Sequence, residues 1–282
     1  MSKLKLPHVF TRRNALQTLA AGMALANLGH SFAQQAGAFD HGYTAWTKLL
    51  AKHVKWLPDN KQSRVDYKGF AADRAALQKV LTEWSAVTPA AFAAFSQPEQ
   101  MAFLINAYNG FTVELILTQF PGLKSIKDIG SVFSSPWKKE FFTLLGAKHH
   151  LDWIEHEQLR PKYADPRVHA AVNCASIGCP ALRPEAFTAA KLDAQLDDGM
   201  QRFMADRTRN RFANGKLEVN MIFKWFREDF EKGHKGFNKI EDVMAHYANQ
   251  LADSAADREK IKSKNVPITH LDYDWSLNLV GR

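Results

Sequence analysis

The sequence predicts an α+β fold, a helix-rich single domain with a small, mostly antiparallel sheet. Three observations carry this expectation. Apolar residues recur at helical spacing through the first half of the chain, two short β-type stretches farther on close on turn residues, and residues 34–282 contain no Pro/Gly/Ser linker and no internal repeat. One domain is therefore expected over 34–282.

Taken in order, Tyr43, Trp46, Leu49, Leu50 and Val54 set a helix within Phe39–Trp56, and the Ala- and Leu-rich stretch Ala71–Val87 sets another. Thr88 is an N-cap for a short helix at Pro89–Phe95 with Pro in its first position. Ser96 with Glu99 three residues on forms a capping box, and the helix it opens should reach about Phe120, before Pro121-Gly122. Lys139–Leu145 and His149–Leu151 read as a hairpin turning at Gly146-Ala147-Lys148, and Asp152 as the cap of a helix that Pro161 ends. Asn214-Gly215 supplies the residues a type I′ turn requires, between strands at Arg211 and Val219. Ile222–Phe230 and Ile240–Leu251 are expected as helices, and Ile268–Leu277 as an extended segment.

The first 33 residues have a different character. Lys3, Lys5, Arg12 and Arg13 are basic, no acidic residue precedes Asp40, and a diluted apolar run Ala15–Leu28 leads to Ser31-Phe32-Ala33. This order is that of a cleavable secretory signal. Arg12-Arg13 resembles the twin-arginine motif, with Ala15 and Gln17 where that motif has Phe and Lys. The expected location is periplasmic or secreted.

The whole chain has 37 basic and 29 acidic residues, net +8. Removing the four basic residues of the signal leaves 33 against 29, net +4. Without a like-charge run or a basic stripe interleaved with aromatics, nucleic acid is an unexpected partner. No other apolar stretch nears the length of a membrane span, so no stable membrane insertion is expected after signal cleavage.

Chemistry concentrates in four stretches. Asn106 and Asn109, three apart around Tyr108, share a face of an apolar helix; a buried amide must find partners, either a neighbouring loop or a site. His156 lies one helical turn from both Asp152 and Arg160; Asp152 with His156 has metal-ligand spacing, but Glu155, His156 and Glu157 should diverge on a helix, and no metal or cofactor is expected. The segment 165–180 holds Asp165, Arg167, His169 and both cysteines, Cys174 and Cys179. These cysteines fit a disulfide, a thiol nucleophile with a histidine base, or a thiolate metal site. His169 and Cys174 are five apart, so a dyad between them needs an intervening turn, and His156 is an equally fair partner. Finally, Phe223, Phe226 and Phe230 recur at helical spacing, with Asp229 embedded among them and Asp274 in the aromatic tail; Arg160 or Arg167 are candidate partners for either carboxylate.

Five motifs in order resemble the family termed domain of unknown function 547. They are Phe103–Asn109, His156–Arg160, Asp165–Pro180, Phe223–Phe230 and Tyr273–Asn278, with Leu104 where many members carry Trp. The likeness spans roughly 97–278 and implies one domain. The family in turn resembles papain-like or transglutaminase-like thiol enzymes, which implies a Cys–His site within 165–180.

Two functions follow as expectations. The first is a thiol-dependent hydrolase or acyltransferase acting on an amide or acyl substrate of the envelope. Cys174 would be its nucleophile, His169 or His156 its base, Asn106 or Asn109 an orienting amide, and Asp165, Arg167 and Tyr108 its substrate contacts. The alternative is a non-catalytic periplasmic domain that binds a ligand or a protein, its loop pinned by a Cys174–Cys179 disulfide.

Overall fold

The computed structural model describes residues 39–130 and 134–281. The expected signal, 1–33, lies outside the described residues. All described helices and strands belong to one compact unit, Asp40–Arg282.

At the centre is the helix Gln97–Leu117, opened by the expected Ser96–Glu99 capping box and buried at every position from Met101 to Val113. A helix that is apolar all round must be wrapped on all sides. One of its neighbours is Arg74–Ser85, admitted by Gly110: a Cβ there would stand 2.7 Å from the Trp84 ring. The central helix stops at Leu117, a turn earlier than expected.

The first helix, Thr44–His53, ends sooner than its apolar spacing suggests, because Val54–Trp56 leaves it as strand β1 and pairs antiparallel with β2, Ser63–Val65. The β-branched Val54 and aromatic Trp56 fit a pleated edge. The expected helix Ala71–Val87 begins earlier and is broken in two, Tyr67–Ala72 and Arg74–Ser85, with Asp66 capping the first through the Gly69 N–H. Thr88 caps Pro89–Ala93 as expected.

Strands β3, Phe142–Leu144, and β4, Ala147–His149, form the first expected hairpin. Its turn sits at Leu145-Gly146, both at positive φ (49° and 81°), earlier than the expected Gly146-Ala147-Lys148. The second hairpin pairs β5, Arg211–Ala213, with β6, Lys216–Val219, through Asn214 (φ 53°) and Gly215 (φ 74°) as the type I′ turn requires. Of the expected extended tail only β7, Ile268–His270, is a strand, and it lies parallel to β6, the one departure from antiparallel pairing among the described strands.

The segments Ile222–Phe230 and Ile240–Leu251 are each broken into two short helices, Ile222–Trp225 with Arg227–Phe230 and Ile240–His246 with Ala248–Leu251. Leu192–Ala205 and Ala255–Lys262 are further helices that the sequence reading did not anticipate. Met200, Phe203 and Met204 from the first of these meet Phe223, Phe230, Val243 and Met244 in a second body of core. The result is helix-rich with small, mainly antiparallel sheets, as expected.

Helical residues run over 151–162, but Trp153–Leu159 is a π-helix. Asp152 makes no side-chain cap, and Pro161 sits within the last turn instead of ending it. Among the described residues no helix is long and apolar enough to cross a membrane.

Candidate active site

The wider helical turn of the π segment decides which side chains meet. Residues 155 and 156 diverge on an α-helix, yet here Glu155 and His156 both line one pocket of about 270 Å³, together with Asp152 one turn before. π-turns recur at functional sites because they re-aim neighbouring side chains in this way.

Opposite stands the cysteine loop. The chain leaves the 3-10 helix Pro166–Ala170 just after His169 and turns at Ala171, and His169 and Cys174 both line the pocket. Cys174 and Cys179 are joined by a disulfide, with Cα atoms 6.2 Å apart. The bonded Cys174 therefore presents no thiolate. Between the cysteines Ala175 takes φ 63°, a conformation that L residues pay strain to adopt. Asn173 holds that loop from within, its Oδ1 accepting the Ala175 N–H (2.9 Å) and its amide donating to the Pro180 carbonyl (2.7 Å).

The two helix asparagines are spent on backbone. Asn109 accepts the Asn173 N–H (2.8 Å) and donates to the Ala171 carbonyl (2.9 Å). Asn106 does the same for Phe187, at 3.0 and 2.8 Å. Neither lines the pocket, so their amides fix loops and do not face a substrate. Arg167 and Asp165 also lie off the pocket lining. Arg167 is buried and saturated by Asp165 (2.6 Å) and Asp193 (2.5 Å), which removes it as a free anion-binding group. Tyr108 does reach the pocket, where it hydrogen-bonds Glu155.

The polar floor is an ordered chain. His169 Nε2 lies 2.8 Å from Asp229 Oδ2, and the same carboxylate receives Arg160 Nε (2.5 Å) and Lys232 Nζ (3.1 Å). Although burial opposes it, these donors hold the Asp229 carboxyl well below its ordinary range. Burial pushes the His169 imidazole down, so it is neutral near pH 7, with its proton on Nε2 toward Asp229. Its other nitrogen, Nδ1, faces Glu155 Oε1 at 3.9 Å. Glu155 is buried at 7% exposure, and desolvation pushes its carboxyl up to about 7 even though Tyr108 hydrogen-bonds it.

Arg160 also donates to His156 Nδ1 (2.6 Å), which assigns the His156 proton to Nε2, 3.7 Å from Asp152. Burial first, and then the Arg160 charge, lower the His156 pKa against the pull of Asp152. The candidate partnership of Arg160 with Asp229 is thus present. Asp274 is instead exposed and accepts the Ser276 N–H (2.8 Å).

The wall is aromatic. Trp225 and Trp275 are stacked at 5.6 Å, Tyr273 lies 4.5 Å from Trp275, and Trp137 meets Trp275 edge-on at 5.7 Å. Trp225 remains 44% exposed, unusual for so large an apolar ring. Tyr273 reaches the disulfide because Gly178 has no side chain: a Cβ there would stand 2.8 Å from the ring. Backbone bonds from Ile177 to Ser276 and from Gly178 to Asp274, each 2.8 Å, strap the tail to the cysteine loop.

Of the residues singled out from the sequence, His156, His169, Cys174, Cys179 and Tyr108 line this pocket, and Glu155, Trp137, Trp225, Tyr273 and Trp275 line it beside them. The apolar pair Trp153-Ile154 directly before Glu155 was the available signal that this carboxyl is buried. Among the described residues no group of three or more His, Cys, Asp or Glu is placed to hold a metal ion.

Residues 92–204 match a family model described as "Protein of unknown function, DUF547". The matched span contains the first three of the five motifs, those bearing Tyr108, His156, His169 and both cysteines. No curated protein and no solved structure matches the chain.

Proposed function

With a DUF547 segment over residues 92–204 as the premise, we propose that this chain is an exported hydrolase or acyltransferase whose active site is the aromatic-walled pocket, with Glu155 as the group that moves the proton. The supporting observation is the placement of a buried carboxyl between Tyr108 and the unprotonated nitrogen of a neutral His169, open to a pocket of substrate size. A carboxyl that titrates near working pH serves in both directions. As an acid it protonates a leaving group, and as a base it takes a proton from an attacking water. His169, backed by Asp229, accepts or returns that proton, and the neutral His156 with Asp152 offers a second polar contact to the substrate. The tryptophan wall supplies apolar area for the remainder of an acyl or amide substrate.

Export rests on the basic, apolar and small-residue order of the first 33 residues. A disulfide also suits an oxidising compartment. In that state Cys174 does not act as a nucleophile, so the proton-transfer pair takes the place of the thiol mechanism expected from the sequence.

The test is turnover of chromogenic esters and anilides by the mature chain and by Glu155→Gln. Hydrolysis of at least one class, falling about 10²–10⁴-fold in the variant, supports the reading. Equal hydrolysis by both proteins overturns it. The formed disulfide also favours a second reading, a ligand-binding domain. Saturable quenching of tryptophan fluorescence by compounds that are never turned over would select it.

A further inference from the structure

From the sulfur environment we infer that the Cys174–Cys179 disulfide is a thiol-exchange site, opened by a small thiol or dithiol that enters the pocket and attacks Cys174. This goes beyond the hydrolase reading, since no step passes through Glu155.

Three observations carry it. The disulfide is on a pocket wall, not in the core: both cysteines line the same cavity as Glu155. The two sulfurs are unequal in access, for Cys174 is half-buried and Cys179 is only 3% exposed. They are also unequal in stabilisation. Cys179 Sγ accepts the Cys174 backbone N–H at 2.9 Å and lies 3.2 Å from the Tyr273 hydroxyl. The Ser176 hydroxyl donates to Tyr273 Oη at 3.0 Å, which leaves the Tyr273 proton free to point at sulfur. Burial raises the Tyr273 pKa, so this group remains a donor. The Tyr273 hydroxyl stands 3.2 Å from both sulfurs and the Ser176 hydroxyl 3.1 Å from Cys174 Sγ, so the backbone N–H is the donor that Cys179 alone receives. A hydrogen bond to a thiolate lowers its pKa and makes it the better leaving group. Arg209, ion-paired to Asp206 at 2.7 Å, donates to the Cys179 carbonyl and pins the departing residue in place for return.

A thiolate of the entering dithiol bonds to Cys174 Sγ, and the S–S pair passes to Cys179 as a thiolate. The second thiol of the reductant then attacks the mixed disulfide, releasing Cys174 as a thiolate and leaving the reductant as its own disulfide. Protein sulfur is reduced by two electrons, and the dithiol is oxidised by two. A monothiol stops at the mixed disulfide on Cys174 or is expelled by Cys179.

The experiment uses the native mature chain. Dithiothreitol is added briefly, iodoacetamide traps free thiols, and peptide mapping reads which cysteine is labelled. Reduction without denaturant is expected, and with the monothiol glutathione in place of dithiothreitol the adduct should map to Cys174 and the alkylation to Cys179, by at least about tenfold over the reverse arrangement. Cys179→Ser with oxidised glutathione should give a mixed disulfide on Cys174, and Tyr273→Phe should slow reductive opening of the otherwise unchanged pair. Should either variant fail to fold, the labelling of the wild-type chain still decides. A disulfide that opens only in denaturant, or a glutathione adduct on Cys179 with alkylation of Cys174, overturns the inference. Loss of Glu155-dependent turnover in the same samples would bear on the hydrolase reading alone.

Discussion

His169 gives one ring nitrogen to Asp229 at 2.8 Å and turns the other toward Glu155 at 3.9 Å. One neutral imidazole thereby links the most strongly ionised carboxyl of the site to one that titrates near neutrality. The carboxylate is also the anchor for Arg160, whose second contact fixes the tautomer of His156. Removing one member of this chain should disturb both histidines.

Asp229→Asn is expected to cost about 3 kcal/mol at pH 7, because it leaves the half-buried Arg160 guanidinium without its buried counter-charge. The folded-state pKa of Asp229 is depressed, so its contribution is present above the ordinary carboxylate range and is lost as pH falls below about 4. Urea unfolding between pH 7 and pH 3 should show a shallower acid limb in the variant than in the wild type.

Glu155 has the opposite sign. Its folded-state pKa rises from 4.5 to about 7, so the stability tied to its proton is present below pH 4.5 and disappears as pH rises through 7. Glu155→Gln, neutral throughout, should gain on the wild type by up to about 3 kcal/mol between pH 4.5 and pH 8. Paired melting curves at the two pH values measure this. A difference that does not change with pH would place Glu155 in solvent.

Asn106→Ala and Asn109→Ala should each cost about 2 kcal/mol, since both strand a buried N–H and carbonyl. Their effects on function should differ. Asn109 holds the loop that bears Cys174, so its loss should lower turnover; Asn106 holds Phe187, and its variant should retain turnover once folded. Chemical denaturation alongside the chromogenic assay separates the two.

Replacing Arg12 and Arg13 together by lysine should leave uncleaved precursor in the cytoplasm if the twin-arginine route carries the chain. Fractionation followed by immunoblotting reads the outcome, and unchanged export would assign the general secretory route.

Where local chemistry decides structure, the sequence was legible. Thr88, Ser96 with Glu99, and Asn214-Gly215 each specify a cap or turn through a backbone bond within a few residues, and each is found in place. Boundaries set by distant partners were not legible. Val54–Trp56 continues a helical apolar pattern but has a strand partner at Ser63–Val65. The same limit applies to the site. His169 and Cys174 were visible as reactive residue types, but the value of Glu155 depends on a π-helical turn and on Tyr108, His169 and Asp229, which come from three separated elements. No spacing rule on an ideal α-helix places Glu155 and His156 in one pocket.

The most direct measurement is a carbon-13 titration of the Glu155 carboxyl in the purified protein, with the resonance assigned by its absence in Glu155→Gln. The account predicts a midpoint near 7, set by burial beside Tyr108 and a neutral His169. A midpoint near 4.5, that of an ordinary solvated glutamate, would contradict it.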